Sequence, residues 1–249
     1  GPIKKYIYNE QKWFASNYLS TDETLQFRYI TNTIFLNYLS KFMTADREAP
    51  TYKYLHVMNT HNPMVMEEGC KFAGAPIKSS RHNLTVQSKC TMDTLSALLD
   101  KMKALGIYDS SMIIIHGDHG GWVGNYREGP DIVFPGGAIG SKSIKSLASP
   151  LLAIKPPGAD GEIATSNVLA SLLDIPDTLS DIMNWNASFD HSALSRMREG
   201  EPRRRQFRFY RWQRDAWEAD YTGQILEFDI EGSHYEEEWK PGKVFNPPG

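Results

Sequence analysis

Apolar residues return every three or four positions at Phe27, Ile30, Ile34, Phe35, Tyr38 and Phe42, the repeat of one helical face. Ser20-Thr21-Asp22-Glu23 just ahead has the Ser-x-x-Glu form of a capping box, which predicts a long helix from about Asp22 to Phe42. The run Tyr52 to Asn59 (YKYLHVMN) is short and apolar and stops before Asn62-Pro63, as a buried strand does. A second helix is predicted from about Thr91 to Leu105, with Met92, Leu95, Leu98, Leu99, Met102 and Leu105 on one face and Gly106 as its stop.

Ser111 to His116 (SMIIIH) follows at once and reads as another buried strand, ended by Gly117. A short strand over Pro150 to Ile154 and a helix over about Thr165 to Leu173 repeat the alternation. This order predicts an α/β fold, mainly a parallel sheet flanked by helices. Beyond Arg203 the period changes to two, at Phe207 and Phe209 and again at Ile225 to Ile230, which predicts a small antiparallel C-terminal β element. The expected division is 1–202 for the α/β part and 203–249 for the β subdomain or sheet edge.

Composition changes this picture only by exclusion. The 249 residues are 41% hydrophobic, enough for a sizeable core. The 27 basic and 30 acidic residues give a net charge of −3, with no broad footprint for nucleic acid. No run approaches the roughly 20 apolar residues of a membrane span. Cys70 and Cys90 flank a loop-like stretch. They read either as a disulfide, favouring an oxidising compartment, or as two thiols in a reducing one. The Arg203-Arg204-Arg205 run reads as a solvated or edge-protecting face.

Chemistry concentrates at two predicted strand ends, His56-Val57-Met58-Asn59-Thr60-His61-Asn62-Pro63 and His116-Gly117-Asp118-His119-Gly120-Gly121. An adjacent Asp and His can both bind a divalent cation, the carboxylate through a hard oxygen and the imidazole through a borderline nitrogen. Flanking glycines let the chain turn sharply. Neighbouring parallel strands would bring both clusters to one edge. His56 and His116 read more simply as hydrogen-bonded structural histidines, and Cys90 as a structural cysteine.

With Asn59-Thr60-His61-Asn62-Pro63 and Gly117-Asp118-His119-Gly120 in place, the stretch from Tyr54 to Gly121 resembles the sulfatase and phosphoethanolamine or lipoteichoic-acid transferase group of the alkaline phosphatase superfamily. Leu98-Leu99-Asp100 and Leu105-Gly106-Ile107-Tyr108-Asp109 extend the likeness. The resemblance implies that Asp118 and His119 are metal ligands, for zinc, manganese, magnesium or calcium, and that His61 faces the transferred sulfate or phosphate group. It further implies a periplasmic or extracellular protein, anchored in a membrane through a segment outside this chain. The substrate would be an anionic sulfate- or phosphate-bearing molecule such as a lipid or a glycan.

The departure from the pattern is equally informative. Such enzymes need an early acidic ligand and a Ser, Thr or modified Cys nucleophile well ahead of the His cluster. None of Ser16, Ser20, Thr21, Thr31 or Thr33 lies at the tip of a recognisable strand. The expectation is a metal-dependent hydrolase or transferase of sulfate- or phosphate-type esters represented by its C-terminal part, inactive alone and holding its metal weakly. The competing expectation is a non-catalytic relative that binds an anionic lipid, a glycan or a protein.

Overall fold

The computed structural model describes residues 22–121, 129–134, 137–210, 223–232 and 239–246. The chain divides into two compact units, Gly1–Ser111 and Met112–Gly249. That division lies well ahead of the change of period at 202/203.

In the first unit, helix α1 spans Asp22–Phe42, the range its periodicity predicts; Ser20 of the capping box lies outside the described residues. Leu36 of α1 and Met43 just past its end are buried against Leu98 of α2 (Arg81–Ala104), with Leu39, Val57, Met102, Leu105 and Ile107 around them. The strands β1 (Met64–Glu67) and β2 (Lys71–Ile77) form an antiparallel hairpin in which Glu67 faces Lys71 and Met64 faces Ile77. Val65 and Met66 pack on Val86 and Cys90 of α2. Cys70, at the hairpin turn, is disulfide-bonded to Cys90. The thiol alternative therefore falls, and Cys90 is structural.

Helix α2 starts ten residues before the predicted Thr91. Ser80 caps it, accepting a hydrogen bond from the Asn83 N–H. The first three turns bury Val86, Gln87 and Cys90. A buried glutamine and a disulfide cysteine are invisible to an apolar pattern, which explains the late predicted start. At the other end Gly106 takes φ +69°, the left-handed conformation expected of a stop.

The segment predicted as a buried strand, 52–59, is not one. Tyr52 is 77% exposed and Tyr54 67%, and Leu55 and Met58 are also exposed. Among the described residues, no sheet pairing engages this run. On its inner side Val57 joins the α1–α2 cluster, and Asn59 Nδ2 donates to Thr33 Oγ1 at 3.0 Å. Beside it α1 leaves Ile34, Phe35, Tyr38 and Phe42 exposed, with the Tyr38 and Phe42 rings 4.5 Å apart.

In the second unit, β3 (Ile113–His116) pairs with β6 (Leu152–Lys155), and β4 (Asp131–Phe134) with β5 (Gly137–Gly140), ahead of the short helix α3 (Ser141–Leu147). A three-stranded sheet, β7 (Arg204–Tyr210), β8 (Ile225–Glu231) and β9 (Lys240–Phe245), has β8 in its centre. Leu226, Phe228 and Ile230 of β8 make a core with Ile139, Ile144 and Trp239. Phe207, Phe228 and Trp239 pack ring against ring at 5.8 to 6.3 Å.

Every strand pairing among the described residues is antiparallel. The expected mainly parallel α/β sheet is therefore overturned. A run of isoleucines signals burial without direction, and Ile113, Ile114 and Ile115 are only half-buried here, short of the two-faced cover of a parallel sheet. The helix predicted over Thr165 to Leu173 also moves. Ser171 and Asp174 form a capping box around the 3₁₀ turn Leu172–Asp174, and α4 follows at Ile175–Ile182 with Pro176 in its first turn.

The arginine run is not a uniformly solvated face. Arg203 grips the fully buried Asp174 and also donates to the Leu169 carbonyl. Arg204 pairs with Asp229 at 3.0 Å, and donation from Arg204 holds the Asp229 carboxyl below the usual carboxylate range. Arg205 donates to the carbonyls of Ala170 and Gly232.

Candidate functional site

Asp118 and His119 sit in the turn directly after β3, in the second unit. Two contacts fix that turn. The Gly120 N–H donates to the Leu147 carbonyl at 2.7 Å, and Ser146 Oγ donates to the Gly121 carbonyl. The turn is thus strapped to the C-terminal end of α3. Gly120 is required by close approach, since a Cβ there would lie 2.7 Å from the Ser149 carbonyl oxygen and closer still to that of Ser146. At Gly117 an added Cβ would meet the His119 carbonyl oxygen at 2.9 Å.

Within this frame both candidate ligands face solvent, the Asp118 side chain 79% exposed and that of His119 56%. Asp118 Oδ1 accepts from the His119 N–H at 3.0 Å, which leaves Oδ2 outward. His119 Nδ1 lies 2.8 Å from the Gly120 carbonyl oxygen. A carbonyl can only accept, so Nδ1 carries the proton and Nε2 presents its lone pair. That lone pair is 3.9 Å from Asp118 Oδ2. Two donors sharing one ion at bonds near 2 Å stand about 3.3 Å apart. A small side-chain rotation closes the difference, so the pair fits a divalent ion as two of its ligands.

His61 lies in the first unit, in the turn between the 51–58 run and β1. Its Nδ1 is 2.6 Å from the Asn62 carbonyl oxygen, so Nε2 is again the outward lone pair. The Asn62-Pro63 peptide is cis. Gln87, 3% exposed on α2, organises this turn. Its Oε1 accepts from the Val65 and Met66 N–H groups at 2.7 and 3.2 Å, while Nε2 donates to the Asn59 and His61 carbonyls at 2.6 and 3.4 Å. Sequence reasoning passed over Gln87 because a lone glutamine inside a helix carries no motif. Its position one turn before Cys90 was the available signal.

The premise that both clusters cap neighbouring parallel strands does not hold, because the segment before His61 is unpaired and β3 pairs antiparallel with β6. What the structure brings together is Asp118 with His119. His56, read as a buried structural histidine, is exposed, its ring 6.5 Å from that of Tyr54. His116 is exposed too, with Nδ1 3.0 Å from the Gly117 carbonyl oxygen. Among the described residues no group of three or more His, Cys, Asp or Glu side chains is disposed to hold a metal. Nor is any helix among them long and apolar enough to cross a membrane.

Comparison with known proteins gives no match to a family model, to a curated protein or to a solved structure.

Proposed function

We propose that this chain contributes Asp118 and His119 to a divalent-metal centre in a protein that hydrolyses or transfers sulfate- or phosphate-type ester groups. The observation that carries this reading is the Gly117–Gly121 turn. It exposes one carboxylate oxygen and one imidazole lone pair 3.9 Å apart, on a backbone strapped to α3. A divalent ion held there would polarise an ester oxygen and offset charge on it. The disulfide supports a periplasmic or extracellular setting.

Two protein ligands leave most of the four to six positions of such an ion to water, so affinity should be weak. Calorimetric titration of the intact chain with zinc, manganese, magnesium and calcium tests this. Weak binding lost in both Asp118→Ala and His119→Ala is expected, with no turnover of p-nitrophenyl sulfate or phosphate. Binding indifferent to both substitutions would end the proposal.

A second reading has one observation in its favour: two donors fall short of a complete catalytic metal site among the described residues. On that reading the chain is a non-catalytic module for an anionic lipid or glycan. Binding to anionic vesicles or to a sulfated glycan that survives chelation and Asp118→Ala would favour it.

A further inference from the structure

The second unit contains a cleft of about 660 Å³ that no part of the metal-site argument uses. It is built around the segment after α4. Three polar side chains of α4 are buried: Asp177, Thr178 and Ser180, at 9%, 1% and 4% exposure. All three are spent on the backbone of the residues that follow. Asp177 accepts from the N–H groups of Phe189 and His191, each at 3.0 Å. Thr178 Oγ1 accepts from the Leu194 N–H at 2.9 Å. Ser180 Oγ reaches the carbonyls of Trp185 and Ala187 at 2.9 and 2.6 Å. Burying polar groups is costly unless they are satisfied, and here they are satisfied by fixing one loop shape.

That fixed loop holds an indole at the solvent boundary. Trp185 lines the cleft and is 52% exposed. Its backbone is locked by donation to the Ser180 carbonyl at 2.8 Å, and Asn184 ahead of it takes φ +53°. Asn186 and Ser188 line the same cleft, and their amide and hydroxyl groups both donate and accept. The charged groups are largely committed. Asp177 is held by backbone N–H groups, and Asp181 by Arg196 and Ser195. Donation from Arg196, then from Ser195, keeps the Asp181 carboxyl below the usual carboxylate range. With Glu201 and His191 also on the wall, three carboxylates stand against one guanidinium and one imidazole, a lining that disfavours a sulfate or phosphate group.

We infer that this cleft binds an uncharged saccharide, one ring face stacking on Trp185 and its hydroxyls hydrogen-bonding to Asn186, Ser188 and the Asp181–Arg196 pair. A sugar ring offers an apolar face and hydroxyls that both donate and accept, which matches an aromatic plate ringed by amides and hydroxyls. A rigid, pre-shaped loop lowers the ordering cost of such a weak ligand. This site is separate from the proposed metal centre and does not depend on it.

The test is saturation-transfer NMR on the intact chain with cellobiose, maltose and N,N′-diacetylchitobiose, with choline as a cationic control. Saturable transfer to the ring protons of at least one disaccharide is expected, with a Kd in the millimolar range. Trp185→Ala should weaken it about tenfold while Trp185→Phe keeps most of it. Thermal melting of both variants checks that the fold is intact, and Ser188→Ala supplies a second variant away from the indole. Absence of saturable transfer from all three sugars, transfer unchanged in Trp185→Ala, or binding of choline alone would each overturn the assignment.

Discussion

Arg203 holds Asp174 through both terminal guanidinium nitrogens, NH1 to Oδ2 and NH2 to Oδ1, each at 2.6 Å. Asp174 is fully buried and also accepts from the Ser171 N–H at 2.7 Å. One carboxylate thus caps the turn before α4 and ties it to the start of β7. Removing either partner leaves an uncompensated charge inside the protein. Arg203→Met and Asp174→Ala should each lower unfolding free energy in urea by about 3 kcal/mol or more. The double variant should cost less than the sum. A loss under about 1 kcal/mol in either single variant would show that the pair is well hydrated.

Gln87 is expected to be as important to the His61 turn as any residue within it. Gln87→Leu keeps the approximate size but orphans the Val65 and Met66 N–H groups and the Asn59 carbonyl. At about 1–3 kcal/mol for an orphaned buried group, melting should fall clearly. The His61 ring resonances should shift although the substitution lies 26 residues away in sequence. An unchanged His61 spectrum would remove Gln87 from its positioning role.

How much of this was legible in the sequence depends on which force set each element. Helix α1 was legible in its bounds but not in its buried face, since Ile34, Phe35, Tyr38 and Phe42 of the predicted stripe are exposed and Leu36 carries the core contact instead. Two of the three C-terminal strands, β7 and β8, were legible because Phe207, Phe209, Leu226, Phe228 and Ile230 alternate, whereas β9, with Pro241 and Gly242 in its run, was not. Sheet direction was not, since antiparallel and parallel partners leave the same mark on Ile113 to Ile115. The start of α2 and the turn at Ser171 were set by caps and buried polar groups, which hydrophobic periodicity does not register. At the candidate site, Asp118 and His119 were named from their place after a predicted strand and from the family resemblance. The strapping of their turn to α3 was beyond reach, because it runs through the backbone of Gly120 and Leu147.

Gly120→Ala should disturb the metal site without touching a ligand. The added methyl collides with the Ser146 and Ser149 carbonyls, and the cost of such overpacking is about 1–3 kcal/mol. Metal affinity should fall with it, whereas Gly223→Ala, at a position with open space around the added Cβ and no left-handed backbone, should leave affinity unchanged. Equal affinity in wild type and Gly120→Ala would show that the strap does not position Asp118 and His119.

Reduction of Cys70–Cys90 should lower stability by about 3 kcal/mol, the chain-entropy value for a closed loop of this length. Intact mass of the alkylated protein with and without reductant establishes the bond, and melting under the same two conditions measures its worth. Because Cys90 also packs with Val65 and Met66, the hairpin should loosen first, visible as faster amide exchange in β1 and β2 than in α1. Two thiols that react fully in the unreduced native protein would remove this support for an oxidising compartment.

The bare run from Thr51 to Met58 has a practical corollary. Among the described residues no strand pairs with it, and with Tyr52 and Tyr54 outward it makes a template on which another copy can lay down a strand. Lys53 is the single full-time charge that interrupts it. Solubility of this polypeptide should therefore be limited by these eight residues, falling with concentration and recovering when an acidic residue replaces Tyr54.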